Sequence, residues 1–183
     1  DIIGIGIVTD GHSCLMWDCD TGAPLTPAVP GTCIRANTII SKLVRDGFSQ
    51  QVKSITGLNL LPSYIGPKVK WFMESIPELD FKARKSELMV GGVDSWILYN
   101  LTGRKLFKTD YTHAAQSMLF DIHKFDWDSF LVNECLIQES FLPTVVDSQS
   151  EFGETFGFVP LADGIPIQLM MVSGQAIAEG SSL

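Results

Sequence analysis

The sequence predicts an α/β fold, and three observations carry that reading. Two apolar, β-prone runs stand near its ends, residues 2–8 with alternating glycine and residues 165–172. Between them Val69, Phe72, Met73 and Ile76 recur at i, i+3, i+4 and i+7, the spacing of one helix face. Charged residues make up 19% of the chain and apolar ones 45%, which suits buried strands covered by helices and argues against disorder. A chain of 183 residues is long enough for one domain with its own core.

The elements follow in order. Residues 2–8 read as a buried strand and residues 13–17 as a second. The two are expected to pair antiparallel around the loop Thr9-Asp10-Gly11-His12. Asp20-Thr21-Gly22 is turn chemistry, and Pro27, Pro30 and Gly31 make a loop. Thr32 can cap the next helix, whose apolar face carries Ile40, Leu43 and Val44 and which Gly47 stops. Residues 48–55 read as a helix ended by Gly57, and residues 58–66 as a loop with Pro62. The amphipathic helix covers residues 68–75 and ends at Pro77. Residues 87–90 read as a short strand, and Val93, Trp96, Ile97 and Leu101 mark a helix that Gly103 terminates. Residues 112–118 and 128–136 read as helical, and residues 141–158 as irregular with short strands. The run 165–172 breaks at Ser173-Gly174 and continues as a small-residue helical pattern, a junction that often carries a catalytic side chain.

Charge and cysteine usage exclude several functions. The net charge is −8 and no Lys/Arg block occurs, which argues against nucleic acid and anionic membrane as partners. Cys14, Cys19, Cys33 and Cys135 form no CxxC, so reduced thiols and a cytoplasmic location are expected. His12, Cys14 and Cys19 fit no zinc spacing, and no metal site is expected. No apolar run reaches the roughly 18 residues of a membrane helix. Gly4-Ile5-Gly6 opens like a dinucleotide fingerprint, but the third glycine position is Thr9. P-loop, GxSxG and HExxH motifs are absent. Asp94 is expected to cap the helix after it, Trp71, Trp96 and Trp127 to lie in the core, and His113 and His123 to sit in polar surroundings without partners. The chain opens directly on a strand and closes on a helix barely begun, which suggests a piece of something longer.

Several runs carry a resemblance. Gly91-Gly92-Val93-Asp94-Ser95-Trp96, Leu101-Thr102-Gly103, Thr109-Asp110-Tyr111-Thr112, Leu119-Phe120-Asp121-Ile122-His123 and Trp127-Asp128 together resemble the FGGY carbohydrate kinases, in their glycerol kinase branch. Lys68-Val69-Lys70-Trp71, Thr56-Gly57-Leu58, Trp17-Asp18, Thr21-Gly22 and Leu142-Pro143 extend the match over nearly the whole chain. The resemblance implies an actin-like ATPase (ribonuclease-H-like) domain, a mixed sheet flanked by helices. Residues 1–183 would be the later part of the N-terminal kinase domain. A phosphate loop would precede Asp1, and a C-terminal ATP-binding domain would follow Leu183. It further implies ATP-dependent phosphoryl transfer, with Mg2+, to a hydroxyl of glycerol or a related polyol or sugar.

The family's contact positions are substituted. Counted without gaps, its substrate-binding Arg and Glu fall at Gly11 and His12, beside Asp10, and its Trp falls at Gly31, with Arg35 the one retained residue nearby. The family's Tyr falls at Ser63, with Tyr64 next. Its general base, an Asp in Gly-Asp-Gln-Gln, falls at Ser173, and only the second Gln is kept, as Gln175. A serine hydroxyl cannot serve as a base near neutrality. No catalytic residue is therefore assigned, and the isolated chain is expected to be inactive.

Overall fold

The computed structural model of the chain describes residues 2–181; Asp1, Ser182 and Leu183 lie outside them. The described residues form eight strands and eight α-helices. They begin with β1 (Ile5–Thr9) and β2 (Cys14–Asp18), followed by α1 (Asn37–Arg45), α2 (Ser49–Thr56), α3 (Ile65–Ser75) and α4 (Pro77–Arg84). Next come β3 (Leu88–Gly92), α5 (Val93–Leu101), β4 (Lys108–Asp110), α6 (Tyr111–Ala115), β5 (Phe120–Asp121), β6 (Asp126–Trp127) and α7 (Ser129–Glu134). The chain continues through β7 (Thr144–Val146) and β8 (Ile167–Val172) to α8 (Ser173–Gly180).

The expected hairpin between the first two strands does not form. β1 pairs parallel with β8, Thr9 opposite Val172, and β2 pairs antiparallel with β3, Cys14 opposite Gly92. β4 pairs parallel with β7, and β5 antiparallel with β6. The loop from Asp10 to Ser13 therefore carries the chain from one pairing to another. β1 is also not buried as expected: only Ile7 is sealed, and Val8 is 46% exposed.

β2 is buried along its whole length, and its pleat explains how. Cys14 and Met16 face a large core with Val69 and Phe72 of α3, Val90 of β3 and Leu131 of α7. Leu15 and Trp17 face the opposite way, toward Tyr99 of α5, with Trp96 and Phe107 packed around them. A third cluster joins Ile7, Leu98, Leu101, Phe152, Ile167 and Met170, and it seats α5 against the β1–β8 pair.

Several sequence expectations need correction. The helix after Thr32 starts only at Asn37 and lacks a side-chain cap. Its buried face is Ile39 and Leu43, at i and i+4, with Val44 51% exposed. Pro77 ends α3 and also opens α4, where it occupies the first turn and its missing N–H costs nothing. α6 is shorter than residues 112–118, since Met118 adopts φ 65°. Trp71, Trp96 and Trp127 are half-buried; the fully buried tryptophan is Trp17. Gly57 behaves as expected, ending α2 at φ 73°.

Leu98 is fully buried between helix and strands. Leu98→Ala is expected to cost about 2–5 kcal/mol of stability, whereas Val44→Ala should change it by about 0.5 kcal/mol or less. Urea unfolding of both variants checks the contrast.

Candidate functional site

β1 and β8 run parallel, so their C-terminal ends lie together, where open α/β sheets commonly bind ligands. The Asp10–His12 loop leaves the end of β1, and Ser173 follows the end of β8 as the first residue of α8. Gly11 fixes their approach. It adopts φ +75°, and a Cβ built on it would lie 2.6 Å from Val172 Cγ1 and 2.7 Å from Gln116 Oε1. Only glycine fits there without strain.

The loop is organised by its own first residue. Asp10 accepts hydrogen bonds from the amides of His12 (3.1 Å) and Ser13 (2.8 Å) and from the Ser13 hydroxyl (2.7 Å). Burial opposes its charge, but these bonds, with His12, outweigh it and hold the carboxyl below its ordinary pKa. His12 is shifted the other way. Burial and nearby Lys68 lower its pKa against the pull of Asp10, so its imidazole is neutral at neutral pH. Its ring lies 5.7 Å from that of Tyr64, and its Nδ1 is buried with no hydrogen-bond partner among the described residues.

Lys68 ties this loop to the next. It is 1% exposed, and its Nζ donates to the carbonyls of His12 (2.6 Å), Val29 (3.3 Å) and Pro30 (3.3 Å). Burial lowers its pKa, and the nearby Cys14, Asp10 and Cys33 only partly offset the effect. The clamp brings Gly31 against His12: a Cβ at Gly31 would lie 2.8 Å from His12 Cβ. The small residue at 31 and the imidazole at 12 are thus sterically matched.

The structure brings together Asp10, Gly11, His12 and Gly31, and it sets Ser173 at the neighbouring strand end. Ser63 is half-buried next to Tyr64, the ring that meets His12. Gln175 is exposed on α8, and among the described residues no hydrogen bond joins it to the group. Arg35 is exposed, with its guanidinium 5.4 Å from the Trp71 ring.

A second polar group lies beneath this face, and sequence reading missed it. Asp94 does not cap α5; it is 1% exposed and accepts from Thr109 Oγ1 (2.7 Å) and Ser95 Oγ (3.1 Å). His113 is 3% exposed, not solvated, with Asp110 Oδ1 2.5 Å from its Nδ1 and Thr9 Oγ1 2.7 Å from its Nε2. Asp110 caps α6 and also accepts from Thr112 Oγ1 (2.7 Å) and Ser148 Oγ (2.6 Å). Burial raises the Asp110 pKa, but the His113, Ser148 and Thr112 bonds bring it below the ordinary value. His123, by contrast, is exposed and meets the Ser54 carbonyl at 3.0 Å.

The four cysteines are free thiols. Burial pushes Cys14 up to about 11 and Cys135 up to about 12, so neither is a nucleophile at neutral pH. Among the described residues no group of three His, Cys, Asp or Glu could hold a metal ion, and no helix is long and apolar enough to cross a membrane.

Residues 1–176 match the N-terminal domain of the FGGY family of carbohydrate kinases. A glycerol kinase of Pseudomonas syringae pv. tomato is 36% identical over 178 residues, covering 97% of this chain and 36% of the relative. Glycerol kinase 2 of Thermotoga maritima is 35% identical over 181 residues, covering 96% of this chain and 36% of the relative. The chain thus spans 36% of the length of these relatives. The crystal structure of Plasmodium falciparum glycerol kinase with ADP superposes with a TM-score of 0.95 at 26% identity, over all of this chain and 36% of that one. Gluconate kinase from Lactobacillus acidophilus shares the fold, with a TM-score of 0.83 at 22% identity, over 96% of this chain and 35% of that one.

Lys68→Met keeps the buried stem but takes the ammonium donor from the carbonyls of His12, Val29 and Pro30, of which Val29 and Pro30 keep the amides of Cys14 and Cys33 as donors. A loss of about 3 kcal/mol is expected, read by chemical unfolding. Faster hydrogen exchange of the His12 and Ser13 amides should accompany it.

Proposed function

The chain belongs to the FGGY family of carbohydrate kinases, and from that premise we propose that it serves ATP-dependent phosphoryl transfer to a hydroxyl of a polyol or sugar. It acts as the later part of an N-terminal kinase domain within a longer cytoplasmic protein. Asp10, Gly11, His12, Gly31, Ser63 and Ser173 line the altered substrate face, with Gln175 at its margin. The observation that carries this reading is the meeting of the Asp10–His12 loop, Gly31 and the β8–α8 junction at one end of a parallel strand pair.

The residues at this face do different work from the carboxylate and guanidinium that the resemblance implies. Neutral His12 can both donate and accept a hydrogen bond, and Tyr64 backs it with an aromatic ring. A guanidinium at position 11 would violate both the left-handed backbone and the Val172 contact. Loss of such hydroxyl-reading groups can change discrimination by as much as about 10⁴- to 10⁵-fold, so glycerol itself is a poor ligand.

A second reading rests on Ser173. It is exposed at the start of α8, has no base character of its own and, among the described residues, is hydrogen-bonded to no acid. A kinase-like domain kept for binding or regulation would need no base at that position.

The 183-residue chain, incubated with ATP, Mg2+ and glycerol, is expected to give no phosphorylated product in a coupled assay. Saturable turnover would contradict that. In the full-length protein, a panel of polyols and sugars separates the two readings. Turnover on any member supports the kinase. Silence throughout, with Ser173→Asp then raising the rate by about 10²-fold or more, supports the binding role.

A further inference from the structure

We propose that His113 is a positioning residue that couples a buried proton to the conformation of the Asp10–His12 loop. The inference rests on the proposed function only in regarding that loop as part of a substrate face.

The helix α6 is only five residues long, and it buries His113. His113 and two carboxylates, Asp94 and Asp110, are all at least 97% buried and come from three elements, α6, α5 and β4. No lysine or arginine is paired with either acid among the described residues. One imidazole therefore stands between two buried acids. Two uncompensated carboxylates in such a place are costly, and a proton taken up by His113 removes one unit of that charge.

The proton accounting is fixed by the contacts. In neutral His113, Nδ1–H donates to Asp110 Oδ1 and Nε2 accepts from the Thr9 hydroxyl. In the imidazolium, both ring nitrogens donate, so Nε2–H now points to Thr9 Oγ1 and the hydroxyl proton must turn elsewhere. Protonation thus reverses the bond at the last residue of β1, directly before Asp10. It also puts a positive charge 3.9 Å from Asp94 Oδ1, which among the described residues has no hydrogen-bond partner. Asp94 helps to line a cavity of about 20 Å³ with His113, Thr109 and Ser117, room for one water molecule.

The other charged groups facing His113 act in the same sense. Asp10 adds to the pull of Asp94 and Asp110, and together they outweigh burial and raise the His113 pKa. β8 and β7 carry no charged residue. Asp121 of β5 is committed to Lys124 at 3.0 Å. A folded-state pKa above the unfolded value means that this stabilisation is complete below the ordinary histidine pKa of about 6.5. It is lost as pH rises through the raised value.

The test is a pH titration of the chain, labelled with 15N and with 13C at histidine, between pH 5 and 9. His113 is expected to titrate above the free-histidine midpoint, and the Gly11, His12 and Ser13 amides should shift with that same midpoint, apart from the lower transition of His12 itself. In Asp94→Asn the His113 midpoint should fall, and the second amide transition should move with it. His113→Asn, which cannot be charged, should abolish that transition. A His113 midpoint at or below that of free histidine overturns the proposal, as do loop amides that ignore a His113 titration. These readouts need no turnover, so they stand or fall apart from the assignment of a kinase activity.

Discussion

The buried ammonium of Lys68 is the constraint on which the candidate site depends. No carboxylate pairs with it among the described residues; its charge is shared among the carbonyls of His12, Val29 and Pro30. Desolvating an ion costs several kcal/mol, and each hydrogen bond to a charge returns about 1.5–3 kcal/mol, so the balance closes only if all three acceptors stay in place. Two loops far apart in sequence are thereby held to one point on α3. Lys70, two residues on and on the other side of the helix, plays a parallel part: it donates to the carbonyl of Glu134, the last residue of α7, where a helix leaves its carbonyls unpaired. One short helix thus organises both the substrate-facing loops and the far side of the core.

Beyond the clamp, the substitutions at the face are not independent of one another. His12 and Gly31 are in contact through a gap that admits no Cβ at position 31. Gly11 is confined by its positive φ and by Val172. A larger residue at any one of these positions requires a change at another. The altered face is therefore a packed arrangement of its own, with a neutral imidazole beside an aromatic ring, rather than the family's face with side chains deleted.

Much of the fold was legible in the sequence because its signals are local. The helix of residues 48–55 with its glycine stop, the helix after Gly92 and the strand–turn–helix junction at Ser173 rest on periodicity and turn chemistry within a dozen residues. The pairing of β1 was not legible, since its partner β8 lies at the other end of the chain and nothing local marks parallel register. α4 was missed although Glu78 and Asp80 in its first turn and Lys82 and Arg84 in its last favour a helix there, because Pro77 was read only as a stop. At the site, the positions of Gly11, His12 and Ser173 came from the resemblance. Lys68, Asp94 and His113 did not, because a charged residue read from sequence defaults to the surface, and only tertiary packing reveals three carbonyls or two acids waiting for it.

β2 has a consequence for how such a site can change over generations. With both faces sealed, its register is not dictated by an inside and an outside, as in most strands, but by volume: Leu15 and Trp17 fit one side, Cys14 and Met16 the other. A slip by one residue would exchange a tryptophan for a methionine across two cores. The strand is thus a rigid mooring, while β1, on the other side of the Asp10–Ser13 loop, is largely open. A segment slung between a fixed anchor and a permissive one can exchange its side chains while the packing of β2 stays intact, so this part of the fold is a natural place for heritable variation to accumulate.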